Sequence, residues 1–195
     1  LYMHFARETL ASFGDEVGGM TVREHLRGYG RWRAGEMREA HNALGRPINM
    51  ETLNRCWDSA SVFIVQDDIG TKGHYSASDV IYDVHYCPAS EAWKDEGFHR
   101  WGHVYCDEFH QACASSYHPD GNVVIPINMM KGDDHCHFRW VMPGTAQQAQ
   151  PWPPTELGRK LAQYYQATTP ERGAYDALVR TSRLIGGRYW TMVDA

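Results

Sequence analysis

The sequence predicts an α+β fold: a small antiparallel sheet packed against a long central helix and N-terminal helices, with a helical C-terminal extension. Three observations carry this. Apolar residues recur at helical spacing over residues 2–44 and again over 90–116. The period switches to two from Ser78 to Cys87. Two further alternating runs, 122–130 and 135–142, are joined by Lys131-Gly132-Asp133-Asp134 as a hairpin. Residues 1–150 are expected to form the α+β domain, and residues 151–195 a helical extension packed on it.

In chain order, Tyr2 to Phe13 reads as a helix ending at Gly14. Thr21-Val22-Arg23-Glu24 spells a capping box, opening a second helix that runs to about Leu44, with Gly45 and Pro47 as stop signals. Its polar face carries Arg23, Arg27, Arg31, Arg33 and Arg38, which reads as a solvated face. The Gly28-Tyr29-Gly30 stretch lies inside this helix and carries no nucleotide-binding meaning. Asn49 caps a short helix bearing Leu53, Cys56 and Trp57, and Asp67 to Ser78 is a turn-rich connection. In the strand from Ser78, Val80, Tyr82, Val84 and Tyr86 share one face, and Ile81, Asp83, His85 and Cys87 the other, until Pro88 ends it. One helix then spans about Ser90 to Ser116 and stops before His118-Pro119-Asp120-Gly121. Pro126 makes the strand of 122–130 an edge or bulged one. Beyond the Pro151–Pro154 linker, helices are expected over Thr155–Ala167 and Pro170–Ile185.

Composition narrows the function. With 195 residues, 43% hydrophobic and 22% charged, the chain is globular rather than disordered. A net charge of -5 without any Lys/Arg block argues against a nucleic-acid partner. No apolar run approaches about 18 residues, so no transmembrane helix and no membrane partner are expected. The opening residues lack a charged region followed by an apolar one, so no signal peptide is expected. Cys56, Cys87, Cys106, Cys113 and Cys136 are odd in number and form no C-x-x-C pair, which fits reduced thiols in a cytoplasmic protein.

The chemistry points to the long helix of 90–116. Phe98, Trp101, Tyr105, Phe109 and Ala112 form its core stripe; His99, His103, Cys106, His110 and Cys113 form a second stripe, expected to face a cavity. Cys106 and His110 lie one turn apart, where an imidazole can raise the thiolate fraction of a nucleophile. The same spacing suits two ligands of one metal ion. Cys87 closes an Asp83-x-His85-x-Cys87 stripe that reads as a pocket wall, and Cys136 runs in phase with Phe138, Trp140 and Met142. His135 and His137 share the other face with Arg139. Arg31 or Arg38 is a candidate clamp for a substrate carboxylate, and His103 a further substrate-binding residue. No G-x-G-x-x-G, Walker A, H-E-x-x-H or G-x-S-x-G motif occurs.

Cys87-Pro88 after a strand, Trp101-Gly102 and Tyr105-Cys106 in a helix, Tyr117-His118-Pro119, and Gly132-Asp133-Asp134-His135-Cys136-His137-Phe138 follow one another in this order. Together they resemble the L-2-amino-thiazoline-4-carboxylic acid hydrolase family over roughly residues 5 to 142. The resemblance implies hydrolytic opening of a cyclic amidine-like C=N bond in a small carboxylated molecule, in a biosynthetic setting for some members. Carried onto this chain it marks Cys87, Cys106, Asp134 and Cys136, with His110 as a polar partner. The hairpin also resembles small-molecule-binding 4-vinyl-reductase-like domains, whose comparable cysteines hold zinc; Asn128 stands where that group would place a partnering cysteine.

Three readings follow. In the first, a Cys106 thiolate attacks, with His110 or Asp134 moving the proton. In the second, a divalent transition metal held by Cys87, Cys106, His110 and Cys136 activates water. In the third, the domain binds a small molecule without turnover. No cofactor is required by the first reading, and a homo-oligomer is compatible with all three.

Overall fold

A computed structural model describes residues 2–55, 73–142 and 153–160. Helix α1 (Tyr2–Phe13) ends where expected, but the chain does not leave helical geometry. A wide π-type turn, Gly14–Gly18, leads directly into α2 (Gly19–Ala43). The expected capping box is therefore absent. Thr21 already lies inside α2, and its hydroxyl donates to the Val17 carbonyl at 3.0 Å, one turn back. The end of α2 is as expected: the Gly45 N–H donates to the Asn42 carbonyl and the Arg46 N–H to the His41 carbonyl, with Gly45 at φ +68°. That is a Schellman closure. Asn49 then accepts the Thr52 N–H at 2.8 Å and caps α3 (Met50–Arg55). Cys56 and Trp57 lie outside the described residues.

Of the connection expected over Asp67 to Ser78, residues 67–72 lie outside the described residues; the rest holds a two-residue strand that the sequence does not announce, β1 (His74–Tyr75). With β2 (Asp79–Val84), β3 (Asn122–Ile127) and β4 (Cys136–Val141) it forms an antiparallel sheet in the order β1-β2-β4-β3. Strand β3 lies at the edge, and its register with β4 shifts between Val124 and Ile127, around Pro126. It is shorter than expected because Asn128 caps a 3₁₀ turn, Met129–Lys131, where strand pairing had been read. The inner face of the sheet buries Val80, Val123, Cys136, Phe138 and Trp140. Its outer face carries the Asp79–Arg139 pair.

The single long helix expected over 90–116 is two helices, α4 (Pro88–Asp95) and α5 (His99–Tyr117). Gly97, at φ +67°, repeats the closure seen at Gly45. Its N–H donates to the Lys94 carbonyl, and the Phe98 N–H to the Trp93 carbonyl. Phe98 and Trp93 pack in one apolar cluster with residues of α1 and α2.

Helix α5 lies between two layers. On one side Tyr2, Val22, Leu26 and Tyr29 from α1 and α2 cover its aromatic stripe; on the other stands the inner face of the sheet. Helices α2 and α5 cross at Gly30, where a β-carbon would fall 2.6 Å from the Phe109 carbonyl oxygen and 2.9 Å from the Ala112 β-carbon. The Arg-rich face of α2 is correspondingly less solvated than expected. Arg23 and Arg27 both reach Glu108 of α5, at 2.5 and 2.7 Å. Arg33 is only 2% exposed and lies 3.9 Å from Glu36. Past the linker, the Thr155 hydroxyl accepts the Gly158 N–H, capping a helical stretch over 156–160, and donates to Glu39 of α2. The helix expected over Pro170–Ile185 lies outside the described residues.

The crossing yields a prediction. Gly30→Ala forces the two backbones apart and should destabilise the fold by about 1–3 kcal/mol in urea unfolding. Gly28→Ala, with only the end of Arg31 near its β-carbon, should be neutral or stabilise by up to about 1 kcal/mol. Equal losses in both variants would show that helix propensity, not close approach, governs the position.

Candidate active site

The second stripe of α5 faces the sheet. Its C-terminal member, Cys113, is fully buried core, and His99 at the other end is exposed. Between them His103, Cys106 and His110 are half-buried. The cysteines and histidines therefore lie under a protein layer for most of their length, rather than along an open cavity wall. That explains why thiols occupy this ridge: it must be buried on both flanks.

Two other thiols lie within electrostatic range of Cys106. Cys87 and Cys136 each act electrostatically on its ionisation, and Cys87 acts on Cys136 as well. Cys87 arrives from the turn into α4, and Cys136 from the first position of β4. The expected Asp83-x-His85-x-Cys87 stripe is corrected here. Strand β2 ends at Val84, so the alternation stops and Cys87 turns toward the core, packing against its apolar residues. Asp83 and His85 stay outside with the β4 histidines: His137 Nδ1 lies 2.6 Å from Asp83 Oδ1, and the His85 and His135 rings lie 5.3 Å apart. Cys136 points inward with Phe138 and Trp140, as its phase implied.

His110 does not engage Cys106 as a thiolate–imidazolium pair. Its Nδ1 sits 2.9 Å from the backbone carbonyl of Cys106, one turn back. Its ring meets Tyr105, Phe109, Phe138 and Trp140 edge-on at 5.1–6.3 Å between centroids. Burial in this aromatic cage pushes His110 down to about 4, against the pull of that carbonyl and of Asp107. Burial also pushes the Cys106 thiol well above its ordinary range, and Cys87, Cys136 and Asp107 add to the push. Both groups are neutral at pH 7. The carbonyl bond fixes the imidazole proton on Nδ1.

Three expected site residues stand apart from the cluster. Asp134, with its side chain 90% exposed, bonds His135 at 2.5 Å on the far side of the hairpin, and that hydrogen bond holds its carboxyl below the usual range. Arg31 lines a surface groove of about 210 Å³ with Arg27, Glu108, Gln111, Ala112 and Ser115. On α5 the centre of that set lies about 170° round from Cys106 and His110, the opposite side of the helix. Arg38 reaches the Ser116 carbonyl at 3.4 Å, near the C-terminal end of α5. For the metal reading, the carbonyl bond at Nδ1 is the arrangement in which Nε2 of His110 would be the ligating nitrogen. Among the described residues no group of three or more His, Cys, Asp or Glu side chains is set to hold an ion.

One polar residue of the site has a role that the sequence did not announce. Asn128 is fully buried, caps the 3₁₀ turn through Oδ1, and brings its carboxamide against Cys106. A buried amide at a strand's end, one residue before a pair of methionines, is the signal that could have marked it.

Among the comparisons with known proteins, a family model described as L-2-amino-thiazoline-4-carboxylic acid hydrolase matches residues 1–140. No curated protein and no solved structure matches the chain.

The buried imidazole sets an acid limit on stability. An unfolded histidine takes up a proton near 6.5, whereas the native one resists until about 4. The contribution is present above 6.5 and is lost as pH falls through that window. Between pH 7.5 and 4.5 it should remove about 2–3 kcal/mol. Urea unfolding of His110→Phe should lack this component; parallel losses in the two proteins would contradict it.

Proposed function

Because the chain belongs to the L-2-amino-thiazoline-4-carboxylic acid hydrolase family, we propose that it hydrolyses a non-peptide C–N bond of the cyclic amidine or imine kind in a small carboxylated molecule, with the Cys106 sulfur as nucleophile. The observation that carries this reading is a half-buried Cys106 one turn from a neutral, half-buried His110, with Cys87 and Cys136 within electrostatic range of its sulfur.

A thiol held protonated suits such a substrate, because sulfur and proton arrive together. The sulfur bonds to the C=N carbon while the thiol proton passes to the ring nitrogen, giving a tetrahedral adduct. At an amidine carbon, which carries two nitrogens, one C–N bond of the adduct breaks. Its nitrogen leaves as an amine, carrying the proton shed by the nitrogen that stays and re-forms C=N. Water adds across that bond; as the carbonyl forms, the C–S bond breaks and the hydroxyl proton returns to Cys106. One water is consumed per C–N bond cleaved. His110, neutral above about pH 4 and one turn away, is the proton relay for the water step. The carboxylate is assigned to Lys94 of α4, whose charge reaches Cys136 and which pairs with Glu91, and to His103.

Turnover of L-2-amino-thiazoline-4-carboxylate is the direct test. Cys106→Ser should lose on the order of a thousandfold in kcat with its urea midpoint near that of the parent. Arg31→Ala, across the helix, should stay within about twofold. Full turnover in Cys106→Ser would move the chemistry elsewhere.

A further inference from the structure

The Asn128 carboxamide is held with unusual completeness for a residue between two elements. Its backbone N–H donates to Asp133 Oδ2 at 2.7 Å, and its carbonyl accepts the Lys131 N–H at 2.7 Å. Its side-chain Oδ1 accepts the Met130 N–H at 2.8 Å, and the Cys136 thiol lies 3.9 Å from the same oxygen. The turn is locked onto α5 as well. A β-carbon at Gly102, one turn before Cys106, would strike the Met130 side chain. Met130 in turn receives the Ser90 hydroxyl at 3.2 Å, tying in α4.

With Oδ1 spoken for, the plane and direction of the amide are fixed, and Nδ2 has one way to point. Among the described residues that N–H is buried without a nitrogen or oxygen acceptor, and a thiol sulfur is the one group it faces. A buried donor left unmet costs about 1–3 kcal/mol, a penalty that natural folds remove unless the group has work at another stage. The atom that the carboxamide meets is the Cys106 sulfur. A neutral thiol is a feeble acceptor; a sulfur bearing negative charge is a good one.

We propose that Asn128 is a catalytic residue whose Nδ2–H donates to the Cys106 sulfur as negative charge develops on it. This rests on Cys106 being the nucleophile. Charge rises on sulfur twice in that chemistry: when the thiol proton leaves for the substrate nitrogen, and when the C–S bond breaks before the proton returns. At both moments the waiting donor gains its partner, so its stabilisation is delivered in the transition state and withheld from the resting enzyme. Cys87, Cys136 and Asp107 all act to keep the thiol protonated, and Asn128 opposes them. The 3₁₀ turn is thus a device for aiming one N–H, with Cys136 and Asp133 as positioning residues behind it.

The test separates donor from scaffold. Asn128→Asp retains an acceptor for the Met130 N–H and loses the donor; Asn128→Ala loses the donor without adding charge. Iodoacetamide alkylation of Cys106, followed by peptide mass mapping across pH 7–11, reads the sulfur without any substrate. Both variants should alkylate Cys106 about tenfold more slowly at pH 8, their midpoints moved up by about one unit. On L-2-amino-thiazoline-4-carboxylate they should lose kcat by at least about tenfold, with KM changed less. Unchanged alkylation in a folded variant overturns the proposal. The parent protein supplies a check free of folding defects: the Asn128 side-chain amide resonances should move through the pH midpoint at which Cys106 becomes alkylatable, and resonances indifferent to it overturn the proposal equally. Should Cys106→Ser keep its turnover while the alkylation shifts appear, the nucleophile assignment fails and the Asn128–sulfur contact stands.

Discussion

Everything in this fold hangs on the enclosure of α5. Its aromatic stripe is covered by α1 and α2, and its cysteine–histidine stripe by the inner face of the sheet. A helix covered on two flanks has little surface left for ordinary polar residues, so small, soft side chains fill the second interface. Gly30 allows α2 to approach the α5 backbone closely enough for this, and Arg23 and Arg27 clasp Glu108 along the remaining seam. Burial would raise the Glu108 carboxyl, but the two guanidiniums override it and keep the group ionised. The position of Cys106 relative to the sheet is a consequence of that three-layer stack.

Much of the fold was readable in the sequence because it rests on periodicity. Helices α1 and α2, the β2 and β4 alternation, the Asn49 cap and the edge character of β3 all appear where the residues say. Two failures have physical causes. Glu96-Gly97 breaks the expected long helix by the same closure that Gly45 makes at the end of α2. Apolar spacing simply continues across Gly97, because Phe98 folds back onto Trp93 and preserves the pattern of burial without the helix. Thr21 failed as a cap because the π-type turn carries helical geometry through Gly14–Gly18, and the hydroxyl has a carbonyl one turn back to bond instead. Spacing shows which residues are buried, and only less directly where hydrogen-bonded turns begin and end.

The site was readable to a different depth. Placing Cys106 and His110 on one face needs only the helical repeat. What the imidazole does there is not contained in that repeat: the i to i+4 spacing that offers it a thiol offers it a backbone carbonyl as well, and the carbonyl wins. Cys87 was assigned to the wrong side because alternation was carried three residues past the end of β2. Asp134 fits a motif but sits on the loop side of a hairpin whose inward positions begin at Cys136. Asn128 was marked only as the residue in a cysteine's place; its part as a buried cap was hidden because a strand was drawn through it.

The edge strand has a bearing on how these molecules behave in company. Among the described residues β3 forms one border of the sheet and β1 the other. A foreign strand seeking to extend the ladder along β3 would meet a proline that supplies no N–H and a bulge that throws the register out of step. Along β1 it would find a run of only two residues. Among the described residues, neither margin of the sheet offers a long regular strand for edge-to-edge pairing, and the irregularity at Pro126 works against it.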